Sequence, residues 1–310
     1  SYLKPVGERV VVYDGATGTN LQLRNLTADD FGGPALEGCN EILVDTRPDV
    51  IADLHRSFLD VGVDVVETDS FGSLPVTLAE YGLAERTHEL NVKAARIARE
   101  VADGYRRSDG GPWVAGSIGP GTKFPSLGQI RFAELRDCFE VQATGLLEGG
   151  VDLIIIETVF DLLQAKAAII GSRRAMAAIG RQVPLQVQVT VELTGRMLPG
   201  TEIAAALTVL EAVRPDVIGL NCATGPGPRS PPPSPSWRPC APTSSASTAP
   251  PGRARCTSTC ATCPSTAGYR SPACPTPGCP RWSTARCTTT SRPISWPTTT
   301  PASCPSSACR

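Results

Sequence analysis

Residues 150–161 read GVDLIIIETVFD, four apolar residues in a row closed by the carboxylate of Glu157. An apolar run without polar alternation marks a strand buried on both faces, as in a parallel sheet covered by helices. An echo lies at residues 62–72, GVDVVETDSFG, where Gly62-Val63-Asp64 leads to Glu67-Thr68 as Gly150-Val151-Asp152 leads to Glu157-Thr158. Both copies set a carboxylate at the C-terminal end of a strand. Working outward, residues 9–13 (RVVVY), 63–67 (VDVVE), 113–117 (WVAGS), 153–157 (LIIIE), 185–191 (LQVQVTV) and 217–220 (VIGL) are predicted strands. Helical periodicity falls between them, at residues 49–61, 85–105, 132–148, 162–179 and 202–213. The predicted fold class is therefore α/β, a (β/α)8 TIM barrel whose functional face lies at the C-terminal strand ends. Six of the eight strand–helix units are legible, so the barrel is expected to be incomplete and to occupy residues 1–227.

The chain changes character at about residue 227. All thirty Asp and Glu residues precede that point, as do all Leu and Val, whereas nine of the twelve cysteines and eighteen of the twenty-nine prolines follow it. A segment of Pro, Ser, Thr, Ala, Arg and Cys cannot bury enough apolar surface to offset its ordering entropy, so residues 228–310 are expected to be a disordered tail. The tail also reads as a frameshifted copy of the residues before it. With residues 201–226 set above residues 228–253, each lower residue can be spelled from the GC-rich codons of the upper pair displaced by one nucleotide. Leu210-Glu211 as CTG GAG contains the codon of Trp237, and Val213-Arg214 as GTG CGC contains that of Cys240.

The net charge of −1 averages an acidic front, thirty acidic against twenty basic residues, and a tail with nine arginines and no acid. Neither part suggests nucleic acid, because the tail arginines are scattered without aromatic platforms. No apolar run is long enough for a membrane span, and the N-terminal residues lack the apolar core of a signal peptide, so the expected location is cytoplasmic. Cys39, Cys138 and Cys222 are too few and too dispersed for a disulfide framework.

Six short motifs occur in order at the predicted strand ends: residues 14–19 (DGATGT), 36–50 (LEGCNEILVDTRPDV), 67–72 (ETDSFG), 116–120 (GSIGP), 157–161 (ETVFD) and 219–226 (GLNCATGP). Together they resemble the homocysteine S-methyltransferase family over residues 8–227. They are most similar to its cobalamin-dependent members, in which this domain is the N-terminal homocysteine-binding module. The resemblance implies methyl transfer to the thiol of homocysteine, which zinc activates by favouring the thiolate. It implies three cysteine ligands, one in a strand-end Asn-Cys and two in a Gly-Gly-Cys-Cys-Gly. Cys222 matches the first, and the cysteine pair is absent from the 310 residues. Activity of this chain is accordingly expected to be impaired. Methylcobalamin is the donor that the resemblance implies, with cobalamin and folate modules in a full-length parent. Standalone members that use S-methylmethionine or betaine, or a non-catalytic product with residual homocysteine binding, remain alternatives.

For the substrate, the resemblance implies Asp14 and Glu157 as partners of the amino group and Gly15 and Thr17 as donors to the carboxylate. Glu67 and Asn221 would line or orient the pocket. Plain readings stand beside these, with Asp14 as a turn residue and Gly15 as a turn-permitting glycine. Asp69 stands where the family pattern has Asn. Cys39 and Cys138 read as a loop and a helix cysteine. Asp53-Leu54-His55 lacks the glycine of an Asp-x-His-x-x-Gly cobalamin motif, Phe58 standing in its place, and His55 and His88 both fall on helical patterns.

Resequencing the codons for residues 200–227 is expected to reveal a short stretch read twice, the second time out of frame. An in-frame gene encoding the same tail would overturn that account.

Overall fold

The computed structural model describes residues 2–222 together with Arg255–Cys256. Its strands are β1 (Val65–Glu67), β2 (Trp113–Ile118), β3 (Leu153–Val159), β4 (Leu185–Val189), β5 (Val217–Leu220) and the two-residue β6 (Arg255–Cys256). Its α-helices are α1 (Leu3–Glu8), α2 (Thr17–Gln22), α3 (Leu43–Thr46), α4 (Pro48–Asp60), α5 (Pro75–Leu78), α6 (Thr87–Asp103), α7 (Phe132–Gly149), α8 (Leu162–Ile179) and α9 (Ile203–Val213). Every strand pair is parallel, and sheet order follows chain order from β1 to β6. Right-handed crossovers stepping always in one direction place the connecting helices on a single face of the sheet. The result is an α/β arrangement whose connecting helices share one face, with α1 packed on the other.

Residue parity assigns the two faces. Val66, Val114, Ile118, Ile154, Ile156, Val187, Val189 and Ile218 join the helices in the larger core, which Phe139, Leu146 and Ile169 fill from α7 and α8. Val65, Trp113, Ala115, Leu153 and Ile155 point the other way, into a smaller cluster that Tyr2 caps. The Tyr2 ring meets Trp113 edge-on, with centroids 6.0 Å apart, and its hydroxyl donates to Gln186 Oε1 at 2.9 Å. An apolar floor thus lies beneath the functional end of the sheet.

Local chemistry sets the helix ends. Pro48 opens α4, where its missing N–H leaves no bond unmade. The Asp161 carboxylate caps α8 by accepting from Leu163 N at 2.8 Å. Gly150 closes α7 at φ 101°, in the left-handed region that glycine tolerates.

The predicted strand at residues 9–13 is not one. Only Tyr13 bridges to Val65, because the Asp64 carboxylate captures the Val12 N–H at 3.0 Å while the Val12 carbonyl accepts from both Asp64 N and Val65 N. The side chain thereby occupies a donor that a regular ladder would need. Val10 and Val12 remain 78% and 51% exposed. The expected disordered tail and the domain boundary at residue 227 lie outside the described residues, apart from Arg255–Cys256, which pairs with Val217 and Ile218. Among the described residues, no helix is long and apolar enough to cross a membrane.

Close helix packing depends on Gly171 in α8. A Cβ there would stand 2.6 Å from the Arg136 carbonyl and 2.9 Å from Glu140 N, both backbone atoms of α7. Gly171→Ala is expected to push the helices apart and cost about 1–3 kcal/mol. The check is a lower urea midpoint at unchanged slope, and an unchanged midpoint would contradict this packing.

Candidate functional site

The two-residue period of a strand carries the apolar floor upward into polar groups. Above Val65 on β1 comes Glu67, above Ala115 on β2 comes Ser117, and above Ile155 on β3 comes Glu157. Asn221 and Cys222 follow β5 directly, and Asp14 follows the Tyr13 bridge. Five chain segments therefore deliver acids and donors to one end of the sheet.

Glu157 is held at both oxygens. Ser117 Oγ donates to Oε1 at 2.7 Å, and Asn221 Nδ2 donates to Oε2 at 2.9 Å. The Asn221 amide is itself fixed, since its Oδ1 accepts from Thr158 N at 2.8 Å and its backbone carbonyl accepts from Thr190 Oγ1 at 3.1 Å. A register shift between Ile156 and Val159 interrupts the β3–β4 pairing, and within it Thr158 adopts φ 56°. This bulge turns the Thr158 hydroxyl to lie 3.3 Å from Cys222 Sγ. Bulges beside functional sites re-aim side chains in this manner. Cys222, also in the left-handed region at φ 56°, is exposed.

Asp14 accepts from Glu67 N with both oxygens, each at 3.1 Å. The Glu67 and Glu157 carboxyls are neighbours, close enough for the charge of Glu157 to act on Glu67. Burial is the largest influence on all three acids and raises each above the ordinary carboxylate range. Asp14 rises to about 7, against the lowering effect of the Glu67 N–H and with a further rise from the charge of Glu157. Glu67 rises well above its usual value through burial and then the neighbouring charges of Glu157 and Asp14. Glu157 rises by burial too, but the Ser117 and Asn221 donors pull it back. Among the described residues, no cation is a leading influence on any of the three. Such a pocket suits a ligand that brings a positive charge of its own.

Of the residues singled out from sequence, Asp14, Glu67, Glu157, Asn221 and Cys222 come together here. Gly15 and Thr17 are their chain neighbours, at the approach to α2, and neither is hydrogen-bonded to the carboxyl groups among the described residues. Gly15 is exposed with open space around it, and the unusual torsion belongs to Ala16, at φ 28°. Ser117, Thr158 and Thr190 were not singled out. Counting by twos along the quoted 116–120 motif puts Ser117 on the same face as Ala115, and that signal was available.

The other candidates have plainer roles. His55 is buried in α4 with both ring nitrogens unpaired, and burial pushes its pKa down to about 4, so it is a neutral core residue. His88 pairs with Glu148 at 3.1 Å on the surface. Cys39 is buried, and desolvation with the nearby Glu41 charge pushes its thiol up to about 12. Cys138 lies half-buried in α7. Asp69 is buried apart from the trio, close to Glu41, with its pKa raised by burial first and that charge second. Among the described residues, no three His, Cys, Asp or Glu side chains are grouped so as to hold a metal ion.

The homocysteine S-methyltransferase family profile matches residues 11–231. The chain is 52% identical over 224 residues to the methionine synthase of Mycobacterium tuberculosis, covering 72% of this chain and 19% of that protein. It is 50% identical over 224 residues to the methionine synthase of Mycobacterium leprae, covering 72% and 18%. The chain thus spans about a fifth of the length of these relatives. In three dimensions it is similar to the metallated form of the homocysteine methyltransferase MmuM from Escherichia coli, with a TM-score of 0.58 at 20% identity, covering 72% of this chain and 78% of that one. The apo form of the same protein gives 0.54 at 19% identity, covering 72% and 76%. At these identities the likeness is one of fold.

The raised Asp14 has a signed consequence. Burial favours its protonated form, so its contribution to stability is complete below the ordinary carboxylate range and is lost as pH climbs toward 7. Asp14→Asn is expected to flatten the fall in stability between about pH 4 and pH 7. Infrared titration of the carboxyl band checks the assignment, and Asp14 ionising in the ordinary range would refute it.

Proposed function

This chain belongs to the homocysteine S-methyltransferase family, and from that premise we propose that its strand-end pocket holds the amino-acid end of homocysteine and sets the thiol beside Cys222 for methylation. The observation that carries the reading is the cluster of Asp14, Glu67 and Glu157, without a cation among the described residues, next to an exposed cysteine. In this reading Glu157 and Asp14 receive the substrate ammonium, and the backbone N–H groups of Gly15 and Thr17 receive its carboxylate. Glu67 lines the pocket, and Asn221 keeps Glu157 in place. The parallel sheet, with its connecting helices on one face, is read as an arc of a (β/α)8 barrel, whose functional loops follow the strands.

Methylation requires the thiol to lose its proton, and the family's zinc would supply that activation. A catalytic zinc takes three protein ligands and keeps one position open. Among the described residues no second cysteine stands beside Cys222, and they do not fit a zinc ion. The chain as it stands is therefore read as binding and orienting homocysteine with methyl transfer impaired, and the lone thiol favours a non-catalytic binder as the second reading. Methylcobalamin as donor, cobalamin and folate modules as neighbours and a cytoplasmic setting are proposed for the full-length parent.

Calorimetry with L-homocysteine, metal analysis and a methylation assay test this together. The chain is expected to bind homocysteine, and Glu157→Gln to weaken it roughly tenfold or more through loss of a charged partner. No stoichiometric zinc and no methylation above background are expected. A gene restored in frame and extended through Gly-Gly-Cys-Cys-Gly should gain one zinc per chain, and Cys222→Ala in that protein should abolish it. One tightly held zinc in the unrepaired chain, with methylation, would refute the impairment.

A further inference from the structure

We propose that Ser117 is a positioning residue, whose hydroxyl works with Asn221 to fix the Glu157 carboxylate and so aims it at the substrate ammonium. The inference rests on the reading of the pocket as a homocysteine site. A serine hydroxyl has one proton to donate, and that of Ser117 goes to Glu157 Oε1 at 2.7 Å. The other oxygen faces an amide N–H whose orientation is not free. Asn221 Oδ1 already accepts from Thr158 N, so Nδ2 is the end turned toward Glu157. With a donor at each oxygen, the Glu157 carboxylate is held as an acceptor in one orientation.

The framework around Ser117 suits this task. Ser117 is 2% exposed, and its backbone is gripped from both sides: its N–H donates to Thr68 Oγ1 at 3.0 Å and its carbonyl accepts from Ser70 Oγ at 2.7 Å. Thr68 and Ser70 are hydrogen-bonded to each other at 2.6 Å, and Gln142 of α7 donates to the Ser70 carbonyl at 2.7 Å. These bonds need nothing from the Ser117 side chain. Its hydroxyl is thus available for Glu157 on a backbone that side-chain replacement leaves supported.

The test compares two ligands on the full chain: L-homocysteine, and 4-mercaptobutanoate, the same molecule without the amino group. Ser117→Ala is expected to weaken homocysteine roughly tenfold while changing the des-amino ligand by less than about twofold, because only the former engages Glu157. Ser117→Cys keeps nearly the same volume with a weaker donor and should fall between; should the alanine variant not fold, the cysteine variant carries the comparison. Equal weakening of both ligands, or homocysteine bound as tightly by Ser117→Ala as by the unaltered chain, overturns the positioning role alone. Failure of the unaltered chain to bind homocysteine overturns the pocket reading and this inference with it.

Discussion

Glu157 terminates an apolar strand, a place where a carboxylate is expensive unless donors meet it. Two donors do, from Ser117 at the end of β2 and Asn221 just past β5. One carboxylate therefore ties together the ends of three strands, and the remaining geometry of the pocket follows from that tie. The bulge in β3 is compatible with it because Thr158 N finds the Asn221 side chain in place of a regular ladder partner. Asp14 reaches the same place by another route, folding back to accept the N–H of Glu67. Low dielectric then raises all three acids together.

Such a site needs a rigid support, since small displacements among hydrogen-bonded groups are costly in binding. Support comes from both sides of the sheet. On the helical side, Gly145 and Gly171 let helices approach until a methyl group would strike backbone, at 2.7 Å from the His88 carbonyl and 2.6 Å from the Arg136 carbonyl. On the other side, Tyr2 packs on Trp113 and hydrogen-bonds to Gln186, filling the floor below the acids. An apolar floor also keeps water from the lower side of Glu67 and Glu157, and that exclusion is what burial means for their protonation.

Much of this was legible in the sequence where the signal was local. The run at residues 153–157 became β3, and the periodicity at residues 162–179 became α8 with the same bounds. The carboxylates at strand ends, Glu67 and Glu157, were visible because a charge after an apolar run is unusual. Residues 9–13 misled because their valines look like a strand, while the competitor for the Val12 N–H, the Asp64 side chain, lies fifty-two residues away. The face of Ser117 could be counted, but its partner, like the work of Thr158, was hidden for a related reason. A hydroxyl carries no pattern of its own, and its partners come from other strands. Cys222 could be singled out by resemblance alone, since a lone cysteine has no spacing to read.

Thr158 is a β-branched residue in a backbone region that such residues rarely enter. Holding it there costs on the order of 1–3 kcal/mol. Glycine would relieve that cost, yet it would remove the hydroxyl that stands between Asn221 Nδ2, at 2.9 Å, and Cys222 Sγ, at 3.3 Å. At this one position a search for thermostable variants and a search for active ones would select opposite residues. A library sorted on folding alone would enrich glycine at 158 and, in doing so, discard the contact that links the acidic half of the pocket to its thiol.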